Sequence, residues 1–494
     1  MLPAKLARSA GRPALLLAVV LWAATAAAHA QAPPPATGPW RALLASDLAF
    51  LRQTLETRYI YAVYPGGEPW QSLYAPALAR ATEAAAKVDD FSGYRAVLSR
   101  LVSEFQDPHL RLTLALQPSR YQWPGVALRF NNGRYLVGTS RVPAIATGAE
   151  LSACDGRPLD QWIDELAALE GGIPGLESTR VSFAARVLLD VGNPFRPRPA
   201  RCTIGGVDSE LVWTSIGAEA WAAATTLRSD ATEAPTGLSD FGTRGAWIRL
   251  PSMTPRNKSE ADAYHAVIRE APALRDRDVI VFDVRGNGGG AYNWFIAMLR
   301  ALYGADYASY HARERLKIQP VFVAGTYLTG PRPANADPFN TPDDADLSRV
   351  IDEVRPLWLK GGREVTVVGA SDDRRRLRPA GPPPPNPVRA SVFVLTDHGC
   401  GSACLSFVDE MLQFPGVRQI GRDTWVDRRS GSSLPHALPS GIGTVLVPSM
   451  VRENRERGEN VPRVPVVKFS GDLSDTSAAQ RWVLNELLNP GDAP

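Results

Sequence analysis

From Trp40 to about Phe105, apolar residues return every three or four positions. LLASDLAFLRQTLETRY, PALARATEAAAKV and FSGYRAVLSRLVSEF all carry this spacing, which predicts three helices with one buried face each. Pro65-Gly66-Gly67 separates the first two, and Asp89-Asp90 offers a cap to the third. Between Tyr121 and about Ser215 the pattern shortens. VALRF and RYLVGTS flank Asn131-Asn132-Gly133, a hairpin signal in which Gly supplies positive φ. A strand, an Asp-Gly turn and a helix follow in ATGAELSACDGRPLDQWIDEL. TRVSFAARV reads as another helix and ARCTIGGVDSELVWTS as a closing hairpin.

From about Ala218, strand and helix patterns alternate. GAWIRLP, a helix over 261–270, DVIVFDV, the helix YNWFIAMLRALYG, SVFVL, the helix ACLSFVDEML and GTVLVPSM predict an α/β core. Residues 327–346 and 372–387 read as loop insertions, and 31–37 as a Pro-rich lead-in. The expected organisation is a leader over 1–30, a helical unit over 31–115, a β-rich domain over 116–215 and an α/β domain over 216–494.

Composition is ordinary for a globular chain, with 45% hydrophobic and 21% charged residues. The formal charge is +3, but Lys5, Arg8 and Arg12 lie in the first 30 residues, which hold no Asp or Glu. Without those three the balance is zero, which argues against nucleic acid or an anionic membrane surface as partner. The same three cations precede the apolar run Leu15–Trp22, and Ala28-His29-Ala30 fits a small-x-small cleavage site. The run is shorter than the about 20 residues that span a bilayer. The expectation is a cleaved signal peptide, a mature start at Gln31, no membrane span after its removal, and a periplasmic or extracellular protein. Cys154, Cys202, Cys400 and Cys404 are then free to form disulfides, in three possible pairings. Their spacing does not fit a zinc site, and no metal or organic cofactor is expected.

Two loops leave strands of the α/β region. Asp283-Val284-Arg285-Gly286-Asn287-Gly288-Gly289-Gly290 exposes backbone N–H groups at a helix start, where an anion or oxyanion is stabilised. Its dinucleotide-like glycines stand alone, without the acidic residue at a second strand end. In Thr396-Asp397-His398-Gly399-Cys400-Gly401-Ser402-Ala403-Cys404, Ser402 occupies a sharp strand-to-helix corner. That setting suits a nucleophile, and equally a plain helix N-cap.

In order and separation, GAWIRLP, DVIVFDVRGNGGG, SVFVLTDHGCGSAC and Ile420-Gly421-Arg422-Asp423-Thr424 resemble the tail-specific or C-terminal processing serine peptidases, over about residues 121–467. The resemblance implies a ClpP/crotonase-like α/β core preceded by a PDZ-like domain at about 121–215. It implies protein or peptide substrates, Ser402 as nucleophile, and the N–H groups of Gly289 and Ala403 as oxyanion donors. One branch of that family uses a Ser/Lys dyad, but Trp425-Val426-Asp427-Arg428-Arg429 holds no Lys, and Arg cannot act as a neutral base. The branch similar to the tricorn core uses Ser, His and Glu. It implies His109, in Asp107-Pro108-His109, as general base and Glu456 as the acid partner, with Glu453 and Glu459 as rivals and Pro108 where that branch has Gly. His398 is the rival base, four residues before Ser402. Cys154 and Cys202 fall in one domain and are candidates to pair; Cys400 and Cys404 are either bridged or two buried thiols. The main alternatives are a non-catalytic ligand- or peptide-binding protein on a peptidase scaffold, and an esterase or amidase with the same residues.

Overall fold

In a computed structural model, residues 38–64, 70–118, 121–219, 222, 234–311, 319–323, 367–369 and 382–488 are described. The leader, the 31–37 lead-in, the 65–67 break, the 327–346 insertion and residues 372–381 of the second insertion lie outside them.

The three-to-four spacing of the front end gives helices α1 (Trp40–Arg58), α2 (Ile60–Val63), α3 (Trp70–Ala85) and α4 (Phe91–Ser103). Leu44, Leu51, Leu55, Tyr94, Leu98 and Leu101 meet in one core. Asp90 caps α4 by accepting the Gly93 N–H at 2.8 Å. Helix α3 begins upstream of the expected start and runs through Pro76, because Trp70 stacks on Tyr74 at 4.1 Å and both rings are buried. The chain then turns into β1 (Arg111–Leu114).

The next region contains β2 (Tyr121–Trp123), β3 (Val126–Asn131), β4 (Arg134–Ser140), β5 (Leu151–Cys154), β6 (Arg157–Pro158), α5 (Leu159–Glu170), α6 (Glu177–Ala184), β7 (Arg201–Ile204), β8 (Val207–Glu210) and β9 (Thr214–Ile216). Strands β3 and β4 pair, β6-β5-β7-β8 form a second sheet, and β9 returns to β2 so that the segment closes on itself. Asn132-Gly133, Asp155-Gly156 and Gly205-Gly206 all have positive φ at both turn positions, the backbone that matches tight hairpins to strand twist. Leu128, Val137, Ile163, Leu166 and Val187 form a core of their own. Cys154 and Cys202, opposite one another on β5 and β7, are disulfide-bonded.

The last region comprises β10 (Gly237–Phe241), β11 (Gly245–Arg249), α7 (Lys258–Glu270), β12 (Val279–Asp283), α8 (Tyr292–Tyr303), α9 (Ala305–His311), β13 (Gln319–Val323), β14 (Val367–Gly369), β15 (Ser391–Thr396), α10 (Ala403–Met411), β16 (Arg418–Gly421), β17 (Ser430–Ala437), β18 (Gly443–Glu453), β19 (Val467–Lys468) and α11 (Thr476–Trp482). Six strands form a sheet in the order β10-β11-β12-β15-β16-β19, parallel except for β10. Alternate residues feed two cores. Ile248, Phe282 and Val394 pack with Trp294 and Phe407, whereas Trp247, Val281 and Phe393 pack with Trp482. Burial on both faces explains why these strands read as unbroken apolar runs.

One strand departs from expectation. GTVLVPSM does not join that sheet. It forms most of β18, which carries β17 along one edge and β1, then β13, along the other. Arg111 stands opposite Leu446 and Leu112 opposite Val445. Val445, Val447 and Val451 bury against the helical front end, so apolar contact across more than three hundred positions decided the pairing. No helix among the described residues is long and apolar enough to cross a membrane.

Candidate active site

The two loops singled out in the sequence leave neighbouring strands, β12 and β15, at their carboxyl ends, where α/β sheets gather functional groups. Asp283 is fully buried and anchors the first loop. Its carboxylate accepts Arg285 Nε at 2.8 Å, Arg285 Nη2 at 2.6 Å and Trp247 Nε1 at 3.1 Å. Arg285 also donates to Thr476 Oγ1 at 2.9 Å and to the Leu473 carbonyl, so a buried charge pair is fully tied into its surroundings. The loops grip each other. Asp397 Oδ1 accepts the N–H groups of Gly286 and Gly399 at 2.8 and 2.9 Å, and Gly401 N donates to the Asn287 carbonyl at 3.0 Å. A Cβ on Gly399 would lie 2.7 Å from Gly286 Cα, so the contact requires glycine.

Ser402 sits at φ 52° and ψ −118° at the start of α10, a conformation that a non-glycine residue adopts only under strain. It occupies the N-cap position, yet its side chain makes no capping bond. The Ala403 N–H beside it has no acceptor among the described residues. A disulfide between Cys400 and Cys404 spans the corner. Gly289, at φ 109°, packs so closely that a Cβ there would lie 2.8 Å from Ser402 Cβ and 2.9 Å from Ala403 N. The Gly289 N–H, expected as an oxyanion donor, is given to Asn287 Oδ1 at 2.9 Å, while Asn287 Nδ2 donates to the Leu250 carbonyl at 2.8 Å.

His109 Nε2 lies 3.0 Å from Ser402 Oγ. The ring is delivered by a turn over residues 107–110, in which Asp107 Oδ1 accepts the His109 N–H at 2.9 Å and the Asp107 carbonyl accepts Leu110 N–H at 2.9 Å. Pro108 takes the second turn position, where its fixed φ is favourable; proline in place of glycine therefore suits the turn. Strand β1 follows at once, and its pairing with β18 carries the histidine to the serine loop. Burial lowers the pKa of His109 below its ordinary value; Asp107 and Asp427 oppose this, and Arg452 and Arg111 reinforce it. The neutral imidazole can therefore accept a proton at neutral pH.

His398 is turned elsewhere, with Nε2 3.6 Å from Glu177 Oε1 on α6. Of the three glutamates considered beside His109, Glu459 accepts from Arg429 Nε at 2.7 Å and Arg428 Nε at 3.3 Å, and Glu453 accepts from the Tyr64 hydroxyl. The Glu456 side chain is exposed. Its neighbours Arg455 and Arg457 point inward to Asp427 Oδ1, at 2.7 and 2.8 Å, and alternation of the chain puts Glu456 on the outside. Asp107 Oδ1 lies 3.8 Å from His109 Nδ1. Asp107 stood inside the motif quoted from the sequence, and its place two residues before a backbone N–H was a signal for a side-chain-capped turn. Ser430, between Asp107 and His109, carried no sequence signal. Among the described residues no group of three or more His, Cys, Asp or Glu is arranged to hold a metal ion.

Residues 244–446 match the profile of Peptidase family S41. No curated protein matches the chain in sequence. The crystal structure of mature CPAF is similar in fold, with a TM-score of 0.54 at 14% identity over 92% of this chain and 99% of that one. Mature CPAF complexed with lactacystin gives 0.56 at 14% identity, over 92% and 100%. The chain is therefore read as a serine-type peptidase that is similar to family S41 over residues 244–446 and shares its fold with mature CPAF.

Proposed function

We propose that the protein is exported and hydrolyses peptide bonds of proteins or peptides through an acyl-enzyme on Ser402, with His109 as general base. The 3.0 Å approach of His109 Nε2 to Ser402 Oγ carries this reading. His109 takes the hydroxyl proton as Oγ attacks the scissile carbonyl. The imidazolium then gives that proton to the leaving amine, and a water activated by the same ring releases the acid product. The Ala403 N–H, and the Gly289 N–H once the oxyanion displaces Asn287 Oδ1 from it, stabilise the negative oxygen; losing one such donor costs roughly 10²–10³ in rate.

The Cys154–Cys202 and Cys400–Cys404 bridges support an oxidising compartment, in keeping with the leader. The β-rich domain touches the catalytic core next to the serine loop. Glu177 contacts His398 at 3.6 Å and Lys468 at 3.5 Å, and Asn132 Oδ1 accepts Arg422 Nη1 at 2.7 Å. This supports a PDZ-like role in presenting substrate to Ser402. The test is fluorophosphonate labelling of the purified chain beside hydrolysis of an unstructured protein. Labelling and hydrolysis should both vanish in Ser402→Ala and fall at least 10²-fold in His109→Ala. Undiminished turnover by Ser402→Ala would overturn the assignment.

A further inference from the structure

Ser430 Oγ lies 2.8 Å from each carboxylate oxygen of Asp107 and 3.5 Å from His109 Nδ1. A hydroxyl has one proton to give and two lone pairs, whereas a carboxylate only accepts. Ser430 therefore spends its proton on Asp107 and presents a lone pair to the imidazole. An Nδ1–H donated into that lone pair leaves the ring's own lone pair on Nε2, the atom 3.0 Å from Ser402 Oγ. The direct Asp107–Nδ1 separation, 3.8 Å, is too long for a hydrogen bond. Asp107 is itself immobilised: its side chain is fully buried, and it also accepts the Tyr59 hydroxyl at 3.0 Å and the His109 N–H at 2.9 Å. Ser430 is fully buried at the start of β17, where strand pairing with β18 fixes it.

We infer that Asp107 and Ser430 are the positioning pair of His109: the carboxylate acts through the Ser430 hydroxyl to fix the ring's tautomer and orientation, in the place expected for Glu456. This rests on Ser402 and His109 being nucleophile and base. The 3.5 Å contact belongs to the resting site, and it shortens when the ring becomes an imidazolium and Nδ1–H bears part of a full charge. The charged groups around the ring are Asp107 and Asp427, which favour the imidazolium, and Arg452 and Arg111, which disfavour it.

The experiment uses the full chain and its Asp107→Asn, Ser430→Ala and Glu456→Gln variants. Each is checked for folding by thermal melting, and its second-order rate of Ser402 labelling by a fluorophosphonate is followed across pH. Asp107→Asn should label about 10²-fold more slowly or worse, as when a triad carboxylate is neutralised, with the acid limb of its profile moved to lower pH. Ser430→Ala should label at least 10-fold more slowly, and Glu456→Gln should stay within about twofold of the parent. A folded Ser430→Ala that labels at the parental rate and with the parental pH profile overturns the inference, even if Asp107→Asn fails to fold. A 10²-fold loss confined to Glu456→Gln also overturns it. A parent chain that is not labelled at all overturns the nucleophile assignment itself, which is a different failure.

Discussion

Asp397 Oδ1 accepts the backbone N–H of Gly286 at 2.8 Å, across 111 positions of sequence. Because the same oxygen also holds Gly399 N–H, one carboxylate fixes the distance between the glycine loop and the serine corner. Asp397→Ala should therefore lower kcat by about 10–10², the cost of misplacing the proposed oxyanion donors and nucleophile by a fraction of an ångström. Steady-state kinetics on a peptide substrate checks it; a rise in KM with unchanged kcat would contradict this role.

The strained backbone at Ser402 makes a separate claim on stability. Positive φ costs a residue with a Cβ about 1–3 kcal/mol, while glycine's added chain entropy offsets roughly 0.5–1 kcal/mol of any relief. Ser402→Gly should accordingly be about 1 kcal/mol more stable than Ser402→Ala in urea unfolding, although neither hydrolyses peptides. Equal stability would mean that the corner relaxes when the hydroxyl is removed.

The two disulfides should separate stability from activity. By chain entropy, the Cys154–Cys202 bridge, with a sequence separation of 48, contributes about 4 kcal/mol, and the Cys400–Cys404 bridge, with a separation of 4, about 2 kcal/mol. Replacing both cysteines of the first pair by Ala should cost more in unfolding free energy. Replacing both of the second should cost more in kcat, since that bridge spans the corner holding Ser402.

Acid should act in two windows. Burial lowers the pKa values of His109 and His436 below the ordinary 6.5, so the unfolded chain takes up those protons first. Stability then falls as pH drops below about 6.5, and, on the proposed role of His109 as base, the acid limb of kcat/KM lies below that value as well. For Asp427, burial alone would raise the carboxyl's pKa, but Arg457 and Arg455 outweigh it and hold it at about 2. Its contribution is complete above 3.8 and is lost as pH falls toward 2. Asp427→Asn leaves the buried Arg455 without its carboxylate, while Arg457 keeps Asp409 at 3.1 Å, and should destabilise the fold by about 3–5 kcal/mol at neutral pH. Melting curves from pH 8 to pH 2 test both windows.

The sequence disclosed what depends on local chemistry. Asn132-Gly133 and Gly205-Gly206 turns, the apolar strands feeding each glycine-bearing loop, and the corner at Ser402 all follow from residues within a few positions of one another. His109 was legible only through the resemblance, because nothing local ties it to a serine 293 residues away. What stayed hidden was tertiary. The destination of GTVLVPSM depends on a partner strand beside His109, and the surroundings of the imidazole depend on Ser430 arriving on β17. The inward turn of Arg455 and Arg457 beside Glu456 was hidden as well, since a run of alternating charges reads from sequence as a solvated surface.

The pairing of β1 with β18 has a consequence for when the His109–Ser402 contact can form. Synthesis runs from the amino end, so the imidazole emerges hundreds of residues before the hairpin that will carry it to its serine. A chain that ends between Ser402 and that hairpin holds both side chains but lacks the β1–β18 pairing that brings them together. On the proposed roles of Ser402 and His109, hydrolysis waits until β17 and β18 have been made, long after the imidazole.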